Sequence, residues 1–296
     1  MPSTICLNMI VKDEAHVIGK TLANILDKTR IDYWVICDTG SSDDTIKIIE
    51  DFFGKAEIEG EIHRHEWKDF AHNRNLALDA AKGKGDYLLI FDADDEIHGD
   101  FDIPEDLTLD MYHVFFGGGF SYRRGSIISN KKRWRWKGVL HEVIMPDEKT
   151  GPPGDIDGDY YFVSGRTGNR SKNPNKYLDD ARILSEAFEN PEEPWLKPRY
   201  AFYCAQSFKD AGLLDDAIKW YKVTLEQECW SQEKFYSALM IGQMSLGMGR
   251  DAEGIYYCLQ TVRYDKSRWE GIYYAINHLL RKDQKDLAII MMSGLD

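Results

Sequence analysis

The chain has 296 residues, enough to bury a core of its own in more than one domain, and its 37 Lys and Arg against 50 Asp and Glu give a formal net charge of −13. That balance excludes a general nucleic-acid binder and a polybasic membrane anchor. No apolar run approaches the length of about 18 residues that a membrane-spanning helix needs. Met1-Pro2-Ser3 leads directly into the first apolar segment, so neither a transmembrane span nor a signal peptide is expected, and the expected compartment is the cytoplasm. The cysteines Cys6, Cys37, Cys204, Cys229 and Cys258 are scattered without metal-type spacing and read as reduced core residues.

Thr4-Ile5-Cys6-Leu7-Asn8-Met9-Ile10-Val11 is an apolar run of strand length. From Glu14 onward Val17, Ile18, Leu22, Ile25 and Leu26 recur at helical spacing. A second strand-to-helix unit follows. Its strand is Asp32 to Asp38, and Ser41 or Ser42 is expected to cap a helix with Asp43 and Asp44 in its first turn and Ile46, Ile49, Phe52 and Phe53 on its apolar face. The turn between them sets the Asp38 carboxylate at a strand end, where it can accept a nucleobase N–H, and leaves helix-end N–H groups that favour anions; an ordinary capped turn is the plainer alternative. Ile58 to His65 has room for a third strand. Arg74, near the start of the next helix, suits a phosphate, a base or a surface salt bridge.

The run Tyr87-Leu88-Leu89-Ile90-Phe91 lacks period-2 alternation and reads as a strand buried on both faces, stopping at Asp92, Asp94, Asp95 and Glu96. In an open α/β sheet ligands collect beyond the carboxyl ends of the strands. Asp92 and Asp94 are therefore expected there as hard oxygen ligands for Mg²⁺ or Mn²⁺, with an acidic turn as the alternative.

Met111 to Phe116 and Phe120-Ser121-Tyr122 read as two strands around a glycine join. The basic segment after them contains Arg123, Arg124, Lys131, Lys132, Arg133, Arg135 and Lys137. As a strand it sets Lys131, Arg133, Arg135 and Lys137 on one face and Trp134 and Trp136 on the other. This is either a solvated face over buried tryptophans or a ledge for a phosphorylated substrate with an indole as a sugar-stacking surface. Pro146 to Asp159, rich in Gly, Pro and Asp, reads as a mobile active-site loop. Ser164-Gly165-Arg166 with Arg170, Lys172 and Lys176 either closes over a diphosphate or forms a solvated linker. From Tyr177 the pattern is helical. Tyr200, Tyr236 and Tyr273, spaced by 36 and 37 residues, mark three helix pairs that look like tetratricopeptide repeats. Such pairs stack into a short solenoid able to hold a protein partner, to self-associate or to brace the first half. Trp220, Tyr221, Tyr256, Tyr257, Trp269 and Tyr273 are expected in its core.

Taken together, Leu7 to Glu14, Asp38 to Thr45, Ala71 to Asn75 and Phe91 to Asp94, in this order and spacing, resemble the motifs of family 2 glycosyltransferases. Trp136-Lys137-Gly138-Val139-Leu140-His141-Glu142 resembles the tryptophan, glycine and histidine-glutamate signature of those members that carry helical repeats. The resemblance implies an α/β GT-A domain, a Rossmann-like nucleotide-diphospho-sugar transferase, over residues 1–170, followed by an all-α TPR-like helical domain over residues 171–296. It implies inverting transfer of a hexose or N-acetylhexosamine from a nucleotide-sugar donor, most often a UDP-sugar, to a hydroxyl of a glycan, protein or peptide acceptor, with Mn²⁺ or Mg²⁺ as cofactor.

Carried over by position, Asp38 contacts the base, Arg74 the base or diphosphate, and Asp92 and Asp94 the ribose and metal, Asp94 being preferred as the direct ligand. Thr39 stands where many relatives have a second Asp, so the uracil contact rests on Asp38. Inversion needs a base that takes the acceptor proton opposite the leaving diphosphate. Glu142 is assigned that role and His141 that of a third metal or phosphate ligand, the two being exchangeable. Arg166 and Lys172 would close over the diphosphate. Two rivals are a catalytically silent sugar-nucleotide module whose repeats recruit a partner, and a nucleotidyltransferase, which the absence of glycine from Asn8 to Glu14 disfavours.

Overall fold

The apolar runs of the first half become the centre of one mixed sheet. The computed structural model describes residues 2–117, 121–165 and 167–293, and these fall into two compact units, Met1–Pro174 and Asn175–Asp296. In the first, the parallel strands β1 (Ile5–Val11), β2 (Tyr33–Asp38), β3 (Gly60–Arg64) and β4 (Tyr87–Ile90) alternate with α1 (Ile18–Lys28), α2 (Thr45–Ala56) and α3 (Phe70–Ala80). The chain continues through β5 (Glu96–Gly99), β6 (Met111–Phe116), β7 (Tyr122–Ser129), a separate antiparallel hairpin of β8 (Trp134–Lys137) and β9 (Val143–Pro146), β10 (Gly154–Asp155) and β11 (Tyr160–Val163). The sheet order is β3-β2-β1-β4-β7-β6-β11-β5, with β10 beside β6. β7 runs antiparallel to β4 and β6, and β5 antiparallel to β11.

The central strands are covered on both faces, as their unbroken hydrophobicity requires. Ile5, Leu7, Met9, Leu89 and Phe91 join Ile18, Leu22 and Ile25 of α1 and Ile49 and Phe53 of α2 in one cluster. Cys6, Leu88 and Ile90 point the other way, to Leu78 and Ala81 at the end of α3 and to Trp134 and Ile144 of the hairpin. Each fully buried Leu or Ile contributes about 2 kcal/mol, so both layers are needed to hold the sheet. This alternation also sets the site: Asp92 falls in step with Leu88 and Ile90, toward α3, whereas Ala93 packs with the α1 cluster.

Several local expectations are corrected. Neither Ser41 nor Ser42 caps α2, whose preceding residue is Asp44. Both serines are drawn instead to Asp13, Ser41 Oγ accepting from Asp13 N at 2.9 Å and Ser42 N and Oγ donating to Asp13 Oδ1 at 2.7 and 3.0 Å. The basic segment is not one strand: Arg123 and Arg124 belong to β7, Lys131, Lys132 and Arg133 lie between strands, and only Trp134–Lys137 form β8. Its cations are not a free ledge. Arg135 pairs with Asp79 at 2.7 Å, Lys132 with Glu148 at 3.4 Å and Arg123 with Asp155 at 2.9 Å. Within Pro146 to Asp159, β10 pairs with β6 and Ile156 is buried. Gly118, Gly119 and Phe120, part of the expected glycine join and strand, lie outside the described residues.

The second unit consists of α4 (Lys176–Glu189), α5 (Lys197–Asp210), α6 (Leu214–Glu226), α7 (Ser231–Gly247), α8 (Asp251–Tyr264), α9 (Glu270–Arg281) and α10 (Lys285–Ser293). Consecutive helices pack on one another, and Tyr200, Tyr236 and Tyr273 fall in α5, α7 and α9, the first helices of three pairs consistent with TPR-like repeats. Its core centres on Phe202, Tyr221 and Ile241. Tyr221 is buried as expected, but Tyr256, Trp269 and Tyr273 are 54%, 50% and 64% exposed, so these three belong to the surface. None of the described helices is long and apolar enough to cross a membrane.

Candidate active site

Of the residues singled out at the strand ends, Asp92 meets Arg74 and Glu142 on the α3 side of the sheet. Asp69 caps α3 by accepting from His72 N at 2.7 Å, and the next two turns carry Asn73, Arg74 and Asn75, each with a separate task. Asn73 fastens the entering loop, donating to Glu66 O at 3.0 Å and accepting from Lys68 N at 3.0 Å. Asn75 docks the hairpin, donating to Trp136 O at 2.9 Å and accepting from Trp136 N at 2.8 Å. Arg74 then lies between two carboxylates: Nε donates to Glu142 Oε1 and Nη2 to Asp92 Oδ1, both at 2.6 Å. Its guanidinium lies 5.1 Å from the Trp136 ring centroid.

Glu142 sits in the turn between β8 and β9, directly after His141, whose backbone is left-handed at φ 51°. Docking of the hairpin by Asn75 is what carries Glu142 to Arg74. Arg124 of β7 completes the cluster, 3.5 Å from both Asp92 Oδ2 and Asp95 Oδ2, with its guanidinium 4.3 Å from the Phe116 ring. Burial disfavours the Asp92 charge, yet Arg74 and Arg124 outweigh it and hold the carboxyl down, at about 2. Burial likewise opposes charge on Arg74, and Asp92 and Glu142 reverse this and hold its pKa above the ordinary value. Asp95 moves oppositely: burial, followed by the charge of Asp92, pushes it up.

On the other flank, carboxylates are held by backbone N–H groups. Gly168 N donates to Asp94 Oδ2 at 2.8 Å, Gly165 N to Asp95 Oδ1 at 3.0 Å, and Asn169 N to Glu14 Oε1 and Oε2 at 3.1 and 3.3 Å. A Cβ on Gly168 would stand 2.9 Å from Asp94 Oδ2 and 3.3 Å from Glu14 Oε1, which places these two carboxylates side by side. Burial, then the Asn169 N–H acting in opposition and the charge of Asp94, leaves Glu14 raised above the usual glutamate value. A cavity of about 770 Å³ opens beside them, lined by Lys20, Asn24, Asp94, Asp95, Tyr122 and Ser164.

A divalent ion held largely by phosphate oxygens needs only one or two protein carboxylates. Asp94 with Glu14 beside it meets that need. The expected set of Asp92, Asp94 and His141 does not form one ligand group: among the described residues no three His, Cys, Asp or Glu side chains cluster closely enough to hold a metal. Asp92 is engaged by Arg74 and Arg124, the chain turns at Ala93-Asp94, and His141 is solvent-exposed.

Asp38 closes its own turn, accepting from Gly40 N at 3.2 Å and Ser41 N at 3.1 Å. It lines a separate cavity of about 720 Å³ with Ser42, Lys47, Arg64 and His65. Lys172, at the end of a short 3-10 turn, is exposed, and Arg166 lies outside the described residues. Four participants escaped sequence reading: Glu14, Asp95, Arg124 as a partner of acids, and Asn75 as the hairpin anchor. Three of them carried a signal: Glu14 and Asn75 close the motif segments Leu7 to Glu14 and Ala71 to Asn75, and Asp95 is the third acid after an apolar strand.

Comparison with known proteins follows this geometry. Residues 6–145 match the family model described as glycosyl transferase family 2. A TPR repeat-containing protein of Synechococcus elongatus is 31% identical over 150 residues, covering 47% of this chain and 35% of that protein. The chain thus spans about a third of the length of the curated relative it matches. Among solved structures, S. aureus TarS residues 1–349 in complex with UDP-GlcNAc has a TM-score of 0.40 at 11% identity, covering 96% of this chain and 92% of that one. The mannosyltransferase PcManGT from Pyrobaculum calidifontis, in complex with GDP-Man and Mn²⁺, has a TM-score of 0.42 at 14% identity, covering 95% and 88%. The mixed α/β unit followed by an all-helical one is the expected fold class. Residues 6–145 carry a glycosyl transferase family 2 domain, the family that the motif segments resemble.

Proposed function

We propose that this protein transfers a hexose or N-acetylhexosamine, with inversion, from a nucleotide diphosphate to an acceptor hydroxyl, with a UDP-sugar as the donor. The observation that carries the reading is the convergence of the motif segments at one end of the sheet. Asp13 ties the first segment to Ser42 of the second, Arg74 ties the third to Asp92 of the fourth, and the same guanidinium reaches Glu142. A divalent ion held by Asp94 and Glu14 would neutralise charge on the departing diphosphate. Glu142 receives the acceptor proton. Arg74 fixes the direction of that carboxylate and, with Trp136, keeps it from turning to solvent. Asp38 and the cavity it lines are assigned to the nucleobase, and Lys172 to the diphosphate. His141 is left beside the base as a phosphate contact. The helical unit is assigned to recruiting a protein partner or a second copy through its exposed aromatic residues.

The test is a panel of UDP- and GDP-sugars with Mn²⁺ or Mg²⁺, followed by donor hydrolysis and thermal shift. Metal-dependent hydrolysis of one sugar nucleotide is expected. Glu142→Gln is expected to lower turnover by about 10²- to 10⁴-fold with donor affinity retained, the usual range for a general base. Lost affinity with normal turnover would remove Glu142 from this role, and thermal stabilisation without any turnover would favour a silent sugar-nucleotide module.

A further inference from the structure

The loops that leave the carboxyl ends of β1 to β4 stand where an open α/β sheet collects its ligands. Among the described residues of these loops, Trp67 is the one large apolar side chain left exposed, at 42%. It is held there. The side chain of Asn73, itself 1% exposed, grips both neighbours of the indole, donating to Glu66 O and accepting from Lys68 N, each at 3.0 Å. The indole leans edge-on against Phe70, with ring centroids 4.8 Å apart. An indole fixed in solvent forgoes the stabilisation of burial, and a loop clamped on both sides of it keeps that surface available.

Phe70 leads inward. It stands one turn from Arg74 on the same face of α3, and Arg74 carries the contacts to Trp136 and Glu142. Trp67, Phe70 and Arg74 thus form a row that runs from solvent to the carboxylate assigned above to the acceptor proton. The cavity assigned to the nucleobase stops short of the indole: Arg64, His65 and Glu66 line it, and Trp67 does not. Trp67 is therefore left for the other substrate. Its neighbours Glu66 and Lys68 are both exposed and opposite in charge. A wholly apolar partner would bury both charges without return. A pyranose ring suits the setting, laying the C–H groups of one face on the indole while hydroxyls on its rim reach the carboxylate and the ammonium. We propose that Trp67 is the acceptor platform and that the acceptor is a saccharide, one ring of which stacks on this indole while a hydroxyl reaches Glu142. That oxygen forms the bond to the transferred sugar as the bond from the sugar to the diphosphate breaks, and the hydroxyl proton passes to Glu142. The proposal rests on the transferase reading of the proposed function.

The full chain, supplied with Mn²⁺ and the sugar nucleotide it hydrolyses, is offered methyl glycosides of glucose, galactose, N-acetylglucosamine and N-acetylgalactosamine and, separately, peptides bearing Ser, Thr or Cys, with products resolved by mass spectrometry. Transfer to at least one glycoside is expected. Transfer to peptides alone, or to neither while the donor is still hydrolysed, overturns the saccharide acceptor and leaves the transferase reading standing. Hydrolysis of no sugar nucleotide overturns that reading and the platform together. With the accepted glycoside, Trp67→Ala is expected to raise the acceptor KM about tenfold and to lower the ratio of transfer to hydrolysis, with the donor KM moved less than about twofold, the pattern of lost ground-state binding. Trp67→Tyr, which keeps an aromatic face, is expected to recover most of the acceptor affinity. An unchanged acceptor KM in Trp67→Ala, or an equal rise in both KM values that Trp67→Tyr does not rescue, overturns the platform.

Discussion

Asp92 and Asp94 stand two residues apart at the end of one strand, yet the protein treats them as different chemical objects. Asp92 faces α3 and lies between Arg74 and Arg124, with Glu142 sharing the first of these guanidiniums. Asp94 faces the opposite flank and meets a backbone N–H. An ion-paired, largely buried carboxylate is costly to detach, because its partner is left charged in a poor solvent. An amide-capped carboxylate gives up a dipole, not a charge. Under the proposed function, this difference puts Asp92 in the framework around Glu142 and leaves Asp94 as the candidate exchangeable ligand.

The largest expected effect comes from breaking the framework flank. Arg74→Met keeps much of the volume over Trp136 but strands Glu142 without its cation and leaves Asp92 only the longer contact to Arg124. Side-chain exposures of 13% for Arg74, 10% for Glu142 and 25% for Asp92 keep solvent from compensating. A loss of about 3–5 kcal/mol of stability is expected, measured by urea denaturation. A loss below about 1 kcal/mol would mean that these pairs behave as exposed ones and that the two flanks do not differ in kind.

The next test sets the two acids against each other. Asp94→Asn is expected to weaken Mg²⁺ binding about a hundredfold, the scale of roughly 2.7 kcal/mol, with little change in melting temperature. Asp92→Asn is expected to do the reverse, lowering the melting temperature while retaining most metal affinity. Calorimetry and thermal denaturation on both variants decide it. If Asp92→Asn abolishes binding and Asp94→Asn does not, the assignment of the flanks is inverted.

The preference for Asp94 as the direct ligand was already implied by the family resemblance, but the pairing of Asp92 with Arg74 and Arg124 was not legible in the sequence. Unbroken apolar runs gave β1, β2 and β4, because a strand buried on both faces has no polar side to hide. The acids at the strand end could be read as a site, and the helical spacing gave the repeat pairs. Reading stopped where one residue's task depended on a partner far along the chain. Asn75 and Trp136 lie 61 residues apart, and Glu14 and Asn169 lie 155 apart. The basic segment misled for the same reason: its charges are real, but Arg124 and Arg135 are spent on acids of other elements. In the helical unit, tyrosine spacing marked the pairs without saying which tyrosines face inward, since Tyr200 is buried and Tyr273 is not.

Acid titration tests the comparison with a smaller effect. Asp92 is depressed to about 2 from 3.8, so its stabilising contribution is complete above the unfolded value and is lost as pH falls from about 4 toward 2. Asp95 is raised, so its contribution has the opposite sign, being present at low pH and lost as pH rises above the ordinary aspartate range. Melting temperature against pH should therefore lose part of its acid limb in Asp92→Asn and part of its decline toward neutrality in Asp95→Asn. Identical profiles for the two variants would show that the arginines do not discriminate between them.

The smallest effect sharpens the comparison by holding bond length fixed. Arg135 reaches Asp79 at 2.7 Å, nearly the distance at which Arg74 reaches its two acids, but the side chains are 29% and 59% exposed. Water screens the attraction and competes for both partners, and holding two long side chains together costs entropy. Arg135→Ala is expected to cost less than about 1 kcal/mol, and 1 M NaCl should erase most of that difference. The Arg74→Met deficit should persist in the same salt, because its pairs lie where counterions do not reach. A salt-insensitive loss of several kcal/mol at Arg135 would show that distance, and not burial, decides what an ion pair is worth in this domain.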